Sequence, residues 1–197
     1  MTESTNKIII LGLGNIGKEY EGSPHNAGFM VVDAVAKKLN AQFRPARGGT
    51  SNGASVSYEN YAITLVKPTT FMNKSGTALH ELLKNLELPH ENIWVIHDDV
   101  DLVLGTIKIV QNRGAGGHKG VASIIDTLGA NNFTRFRVGI RPARMPASRS
   151  MDIMNAFVVK PFGGKEKEEF ADAIARCTEA IFVALDKGIA RAMNEFN

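Results

Sequence analysis

His25 is the side chain in this sequence best suited to take a proton from water near neutral pH, because imidazole titrates closest to neutrality. A neutral imidazole works as a base only when an acceptor holds its other nitrogen, and Asp98, far away in sequence, can supply one. Asn15 and Asn73 carry amides able to donate to, or accept from, an ester, a peptide carbonyl or a ribose. These residues fall in four polar clusters: Asn15, Tyr20 with His25-Asn26, Phe71-Met72-Asn73, and His97-Asp98-Asp99. Each stands where an apolar run ends or a helical pattern begins, and ligand sites of α/β sheets gather at such ends. Plainer readings compete. A lone loop histidine is more often a surface or capping residue, and Asn15 and Asn26 also suit turns or caps. His97, Asp98, Asp99 and Asp101 could surround a divalent cation, but no second set at metal-ligand spacing supports a metal. Ser75 and Cys177 lack a G-x-S-x-G or Cys-His context and read as a helix cap and a buried helix residue.

The elements that must hold these clusters can be read from periodicity and punctuation. Residues 7–13 form a short apolar run followed by glycine, a buried first strand. Residues 14–26, rich in Gly, Asn, Ser and Pro, form a loop, and Asn26 can cap a helix with Phe29, Val32, Val35, Ala36 and Leu39 on one face. Residues 54–58 and 61–66 read as a hairpin about Glu59-Asn60. Ser75 caps a second helix that faces inward with Leu79, Leu82, Leu83 and Leu86 and stops at Pro89. Residues 93–96 form a strand that ends at His97-Asp98-Asp99. Strands at 106–110 and 133–140 enclose a glycine-rich loop, 111–117, and a helix, 118–128. Residues 141–150, with two prolines and three arginines, read as a mobile loop, and 165–197 as a helix that Gly188 interrupts. Alternating strands and helices predict one α/β domain over 1–197 with a mixed, mostly parallel sheet flanked by helices, residues 1–6 being a flexible start.

Gly12, Gly14 and Gly17 match G-x-G-x-x-G after a strand, the fingerprint of a dinucleotide-binding turn. That function needs a helix to open at once, with its N-terminus on the pyrophosphate. Gly22 and Pro24 stand against it, and the acid about 20 residues on, Asp33, falls inside a helix.

Composition bounds the partner. The single Cys177 excludes an internal disulfide framework and fits a reducing compartment. No apolar run reaches the ~18–20 residues of a membrane span, and the polar start carries no secretory core. These features predict a cytoplasmic protein off the membrane. Residues 102–151 hold eight basic residues (Lys108, Arg113, Lys119, Arg135, Arg137, Arg141, Arg144, Arg149) and one acid, Asp126, a net +7. The rest, with 15 basic and 19 acidic residues, is −4. Such a segment suits a polyphosphate partner, or is only a solvated basic face.

Four motifs in order resemble those of bacterial peptidyl-tRNA hydrolases: residues 8–33 (IIILGLGNIGKEYEGSPHNAGFMVVD), 67–76 (KPTTFMNKSG), 96–105 (IHDDVDLVLG) and 114–120 (GAGGHKG), followed by a basic strand at 133–140. The likeness runs through about four-fifths of the chain. It implies hydrolysis of the ester between a peptide and the 3′ end of tRNA, without metal or cofactor, by a cytoplasmic monomer that binds tRNA and not DNA. By resemblance, His25 is the base that activates water and Asp98 the carboxylate that orients it, while Asn15 distinguishes a blocked peptidyl group from a free amino acid. Tyr20, Phe71 and Asn73 match contacts to the peptide and the tRNA 3′ end, with Asn26 and Lys119 in the same substrate-facing set. Arg137, with Lys108 and Arg113, matches a clamp on acceptor-stem phosphates. The family also resembles some non-catalytic RNA-splicing cofactors; retention of His25, Asp98, Asn15 and Asn73 argues against that role. Three positions depart from the family pattern: Ile16 replaces a proline, Ser23-Pro24 replaces Thr-Arg, and Lys119 replaces an asparagine. An ammonium cannot accept a hydrogen bond, so Lys119 could instead grip a phosphate or the terminal adenosine.

Overall fold

Residues Asn6–Gly12 form β1, an apolar strand with a parallel neighbour on each side. Ile8 and Ile10 point into one core layer and Ile9 and Leu11 into the other, which is why the run shows no polar alternation. A computed structural model describes residues 6–84, 86–143, 145 and 151–197. In chain order the further elements are α1 (Ala27–Lys38), β2 (Arg44–Pro45), β3 (Ser51–Tyr58), β4 (Tyr61–Pro68), α2 (Ser75–Leu83), β5 (Ile93–Val103), β6 (Ile107–Val110), α3 (Lys119–Leu128), β7 (Thr134–Arg141), α4 (Met151–Val158), α5 (Gly164–Lys187) and α6 (Ile189–Phe196). The strands make one seven-stranded sheet in the order β2-β3-β4-β1-β5-β7-β6. Its centre, β4-β1-β5-β7, is parallel, and the outer pairs are antiparallel. This is the mixed, mostly parallel α/β domain that the alternation of elements predicts.

One side of the sheet is packed by α1, α5 and α6 through Val31, Val35, Phe170, Ile181 and Phe196. The other is packed by α2 and α3 through Leu79, Val121 and Ile124. Cys177 is buried inside α5, and Gly188 (φ 86°) separates α5 from α6, both as the sequence suggests. At the β6 edge, the Asn197 side chain accepts from the Ile109 amide at 2.6 Å and donates to its carbonyl at 3.0 Å.

Close backbone approach, rather than side-chain packing, seats α1. A Cβ at Gly28 would lie 2.3 Å from the Leu13 nitrogen and 2.4 Å from the Ile96 oxygen, and one at Gly12 would lie 2.2 Å from the Gly28 oxygen. Glycine at both positions lets the start of α1 press onto the ends of β1 and β5. The turn before α1, which carries His25, is thereby brought over the strand that carries Asp98.

Several expectations need correction. The strand expected at 93–96 continues to Val103, because His97, Asp98 and Asp99 keep ladder register with Arg137, Val138 and Gly139 of β7. A polar triplet here marks the working end of a strand and not its termination. Asn26 stands at the start of α1 but makes no capping bond; its amide accepts from the Asn15 nitrogen at 2.7 Å and donates to the Asn15 oxygen at 3.1 Å. Ser75 is the first residue of α2 and not its cap: its buried hydroxyl donates to the Met72 oxygen at 2.8 Å. The hairpin turns at Glu59-Asn60 as expected, with longer strands. Helix α4 was not foreseen. Of the loop expected at 141–150 only 141–143 and 145 are described. Of the flexible start expected at 1–6, residues 1–5 lie outside the described residues, but Asn6 already belongs to β1, its amide donating to the Asn60 oxygen at 2.9 Å.

Candidate active site

Pro24 fixes a single 3₁₀ turn, Pro24–Asn26, whose central residue is His25. Ser23, Pro24 and Asn26 are buried around it, and the Asn26–Asn15 amide pair ties this turn to the loop after β1. His25 Nδ1 lies 2.9 and 3.0 Å from the two carboxylate oxygens of Asp98, which is buried. The two residues are 73 positions apart and meet only because α1 sits on the ends of β1 and β5.

Asp98 has a second partner. His118 Nε2 lies 3.0 Å from Asp98 Oδ1. His118 is the N-cap of α3, where its Nδ1 accepts from the Gly120 and Val121 amides at 3.1 and 3.3 Å. Those amides can only donate, so Nδ1 carries a lone pair and the ring proton is on Nε2, facing Asp98. The carboxylate thus accepts from both imidazoles. His25 in turn donates from Nδ1, which leaves its Nε2 as a free lone pair, the form a general base requires.

Electrostatics follow the same logic. Burial disfavours the Asp98 anion, but the charges and hydrogen bonds of His25 and His118 outweigh it and hold the carboxyl well below the usual range. Burial lowers the His25 pKa and Lys119 lowers it further, while Asp98, by charge and hydrogen bond, more than offsets both and leaves it raised. His97 is different. Burial, with His118 beside it, pushes it down to about 3, so it stays neutral and donates Nδ1–H to the Asp98 carbonyl at 2.7 Å. Its ring packs edge-on against His118, with centroids 4.8 Å apart.

Two adjoining depressions meet over this pair. One is lined by His25, Asp98, His118, Lys119, Met154 and Val158, among others. The second contains Asn15, Ile16, Tyr20, Phe71, Asn73 and Lys74, and shares His25, Lys119 and Val158 with the first. The structure therefore brings together His25, Asp98, Asn15, Tyr20, Phe71, Asn73 and Lys119. Asn26 lies beneath them as a brace. Phe71 is 78% exposed and Ile16 55%, an unusual exposure of large apolar groups at the rim of a polar cleft.

The basic residues sit elsewhere. Lys108 and Arg113 are exposed and line neither depression, and Lys108 faces Arg137 across the β6–β7 pairing. Arg137 donates to Asp99 at 2.6 Å, so part of its charge is already met. Arg135 is buried and donates to the Gly114 oxygen at 2.9 Å, anchoring the glycine-rich loop instead of adding to a surface. Arg144 and Arg149 lie outside the described residues.

His118 was not singled out from sequence. Asking which residue caps the helix at 119–128 would have found it. Among the described residues, His25, Asp98 and His118 are the group whose ligand atoms could surround a metal ion. The geometry disfavours one: metal on His118 Nε2 would force its proton onto Nδ1, against two amide donors. The dinucleotide reading fails on geometry as well. Gly17 is followed by a single 3₁₀ turn, and α1 opens only at Ala27, with Asp33 paired to Lys67.

An open α/β sheet with an imidazole–carboxylate pair near the carboxyl ends of its central strands has the form of a general-base hydrolase. The chain belongs to the peptidyl-tRNA hydrolase family: the family model of that description matches residues 9–197. Peptidyl-tRNA hydrolases of Thermodesulfovibrio yellowstonii and Bacillus subtilis are 40% and 38% identical over 198 and 192 residues, each alignment covering 96% of this chain and 98% of the relative. The crystal structure of peptidyl-tRNA hydrolase from Acinetobacter baumannii matches with a TM-score of 0.87 at 28% identity, covering 99% of this chain and 96% of that one.

Proposed function

We propose that this chain hydrolyses the ester joining a peptide, or an N-blocked amino acid, to the 3′-terminal ribose of tRNA. The observation that carries the mechanism is His25, bonded through Nδ1 to Asp98 at the junction of two depressions. Water gives a proton to His25 Nε2 as its oxygen bonds to the ester carbonyl carbon. The carbonyl electron pair moves onto oxygen. When the pair returns, the bond to the ribose oxygen breaks and His25 returns the proton to that leaving oxygen. Asp98 holds the ring throughout and stabilises the imidazolium. Holding the ester beside one activated water supplies much of the rate.

Asn15 and Asn73 place the substrate, and Tyr20 and Phe71 contact the peptide and the tRNA 3′ end. An exposed aromatic such as Phe71 suits a stacked base. Lys108, Arg113 and Arg137 hold acceptor-stem phosphates, which position a nucleic acid without reading its sequence. No helix among the described residues is long and apolar enough to cross a membrane. The proposed working form is a single-domain cytoplasmic monomer.

The test compares tRNA carrying an N-acetylated amino acid with the same tRNA carrying the free amino acid. Release from the first and not from the second is the expected result; tRNA binding without release from either would overturn the hydrolytic reading. A separate prediction concerns salt. Three cation–phosphate contacts give log Kd against log salt concentration a slope of about 2 to 3. A flat response would remove Lys108, Arg113 and Arg137 from the tRNA-binding surface.

A further inference from the structure

Lys119 is the first residue of α3, where the helix dipole favours anions and a cation is misplaced. Among the described residues its side chain has no ion pair or hydrogen bond. It is exposed, and it lines both depressions beside His25. Lys74, the other lysine of the cleft, lines only the second. A positive charge without a protein partner, standing at the end of a helix that favours anions, is free to meet one brought by a substrate.

The second and third amides of α3 cannot supply that meeting point. Free backbone amides at a helix N-terminus are common donors to oxyanions. Here the Gly120 and Val121 amides are taken by His118 Nδ1. Negative charge forming over His25 is therefore not met by these two amides, which leaves the other donors of the depressions, Lys119 foremost among the charged ones.

We propose that Lys119 is the electrostatic residue of this site: its ammonium, shared by the two depressions, stabilises the oxyanion that forms when water adds to the ester carbonyl over His25. The assignment rests on the hydrolytic reading above. Lys119 neither gives nor takes a proton; it faces the electron pair displaced onto the carbonyl oxygen, and that pair leaves when the bond to ribose breaks. The same charge acts on His25. Among the described residues, the titratable or charged groups around that ring are Asp98 and Asp99 from β5, His118 before α3, Lys119 on α3, and Tyr20 and Lys74 across the second depression. Asp98 favours the imidazolium, and Lys119 opposes it.

The experiment measures kcat and KM for N-acetylaminoacyl-tRNA from pH 5.5 to 9 with wild type, Lys119→Met and Lys119→Arg. Lys119→Met is expected to lower kcat by roughly 10²-fold, the usual effect of losing one oxyanion donor. KM should stay within about threefold, because the interaction belongs to the transition state. The acidic limb of its profile should move to higher pH, and Lys119→Arg should restore most of the rate. A raised KM with unchanged kcat would mean a ground-state phosphate contact and overturn the proposal. So would a Lys119→Met profile that superimposes on wild type. A wild type that releases nothing overturns the hydrolytic reading, and this assignment with it.

Discussion

Replacing His25 with alanine is expected to lower kcat for N-acetylaminoacyl-tRNA by about 10²- to 10⁴-fold, the range spanned by loss of a positioned base. The affinity for tRNA should change little, since the exposed cations of β6 and of the loop before α3 lie outside the two depressions that His25 joins. Single-turnover rates and equilibrium binding, measured on the same preparation, separate the two effects. Unchanged turnover in His25→Ala would end the mechanism. The wild-type profile tests the same residue. The base must be neutral to act, so activity rises as pH passes through the His25 pKa. That pKa is raised above the ordinary imidazole value of 6.5, so the midpoint lies on the alkaline side of it. The sign for stability is opposite. A raised folded-state pKa contributes stability that is fully present below 6.5 and is lost as pH climbs through the folded value.

The second large effect belongs to Asp98→Asn, which keeps shape and removes charge. A carboxylate offers two acceptor oxygens, and an amide only one. His118 cannot adapt, because the start of α3 holds its Nδ1 as an acceptor and its proton on Nε2. The amide oxygen therefore goes to His118, where Oδ1 stands 3.0 Å away; that oxygen also lies 2.9 Å from His25 Nδ1 but is committed to the fixed His118 donor, and the NH₂ falls about where Oδ2 meets His25 Nδ1 at 3.0 Å. That donor draws the lone pair of His25 to Nδ1 and moves its proton to Nε2, the atom that should take a proton from water. A fall in kcat of about 10³- to 10⁴-fold follows from the wrong tautomer. The NMR signature is a His25 ring protonated on Nε2 when neutral. Loss of the charge that raises the His25 pKa should also move its titration to lower pH. A variant retaining a tenth of wild-type activity would show that Asp98 does not set the tautomer.

Much of this arrangement is legible in the residues. The apolar period of α1, the glycine that divides α5 from α6, and the placing of Asn15, His25 and Asn73 at element ends can all be read before any fold is known. What escapes is whatever depends on a third party. His97-Asp98-Asp99 looks like the end of a strand because polarity normally marks an end; only the pairing with β7 keeps it in the sheet. Asn26 has the chemistry of a cap, and its amide serves the Asn15 backbone because that loop returns beside it. His118 is hidden for a similar reason. Its link to Asp98 spans 20 residues and a strand reversal, and no spacing rule connects them. The basic segment shows the limit of counting charge: Arg135 is buried and Arg137 is partly matched by Asp99, so the exposed charge is smaller than the sum suggests.

The Asn197 side chain bonded to both backbone groups of Ile109 has a consequence for products. Released peptides of arbitrary sequence, the outcome of the proposed reaction, are strand-forming chains at high local concentration. An open sheet edge would bind them through the backbone alone, whatever their side chains. Here a carboxamide already occupies the donor and acceptor of Ile109 on the β6 margin. The opposite margin, β2, is two residues long and contains Pro45. The β6 margin is thereby closed at Ile109 to backbone pairing with a released peptide, whereas β2 covers β3 only at Asn52 and Gly53.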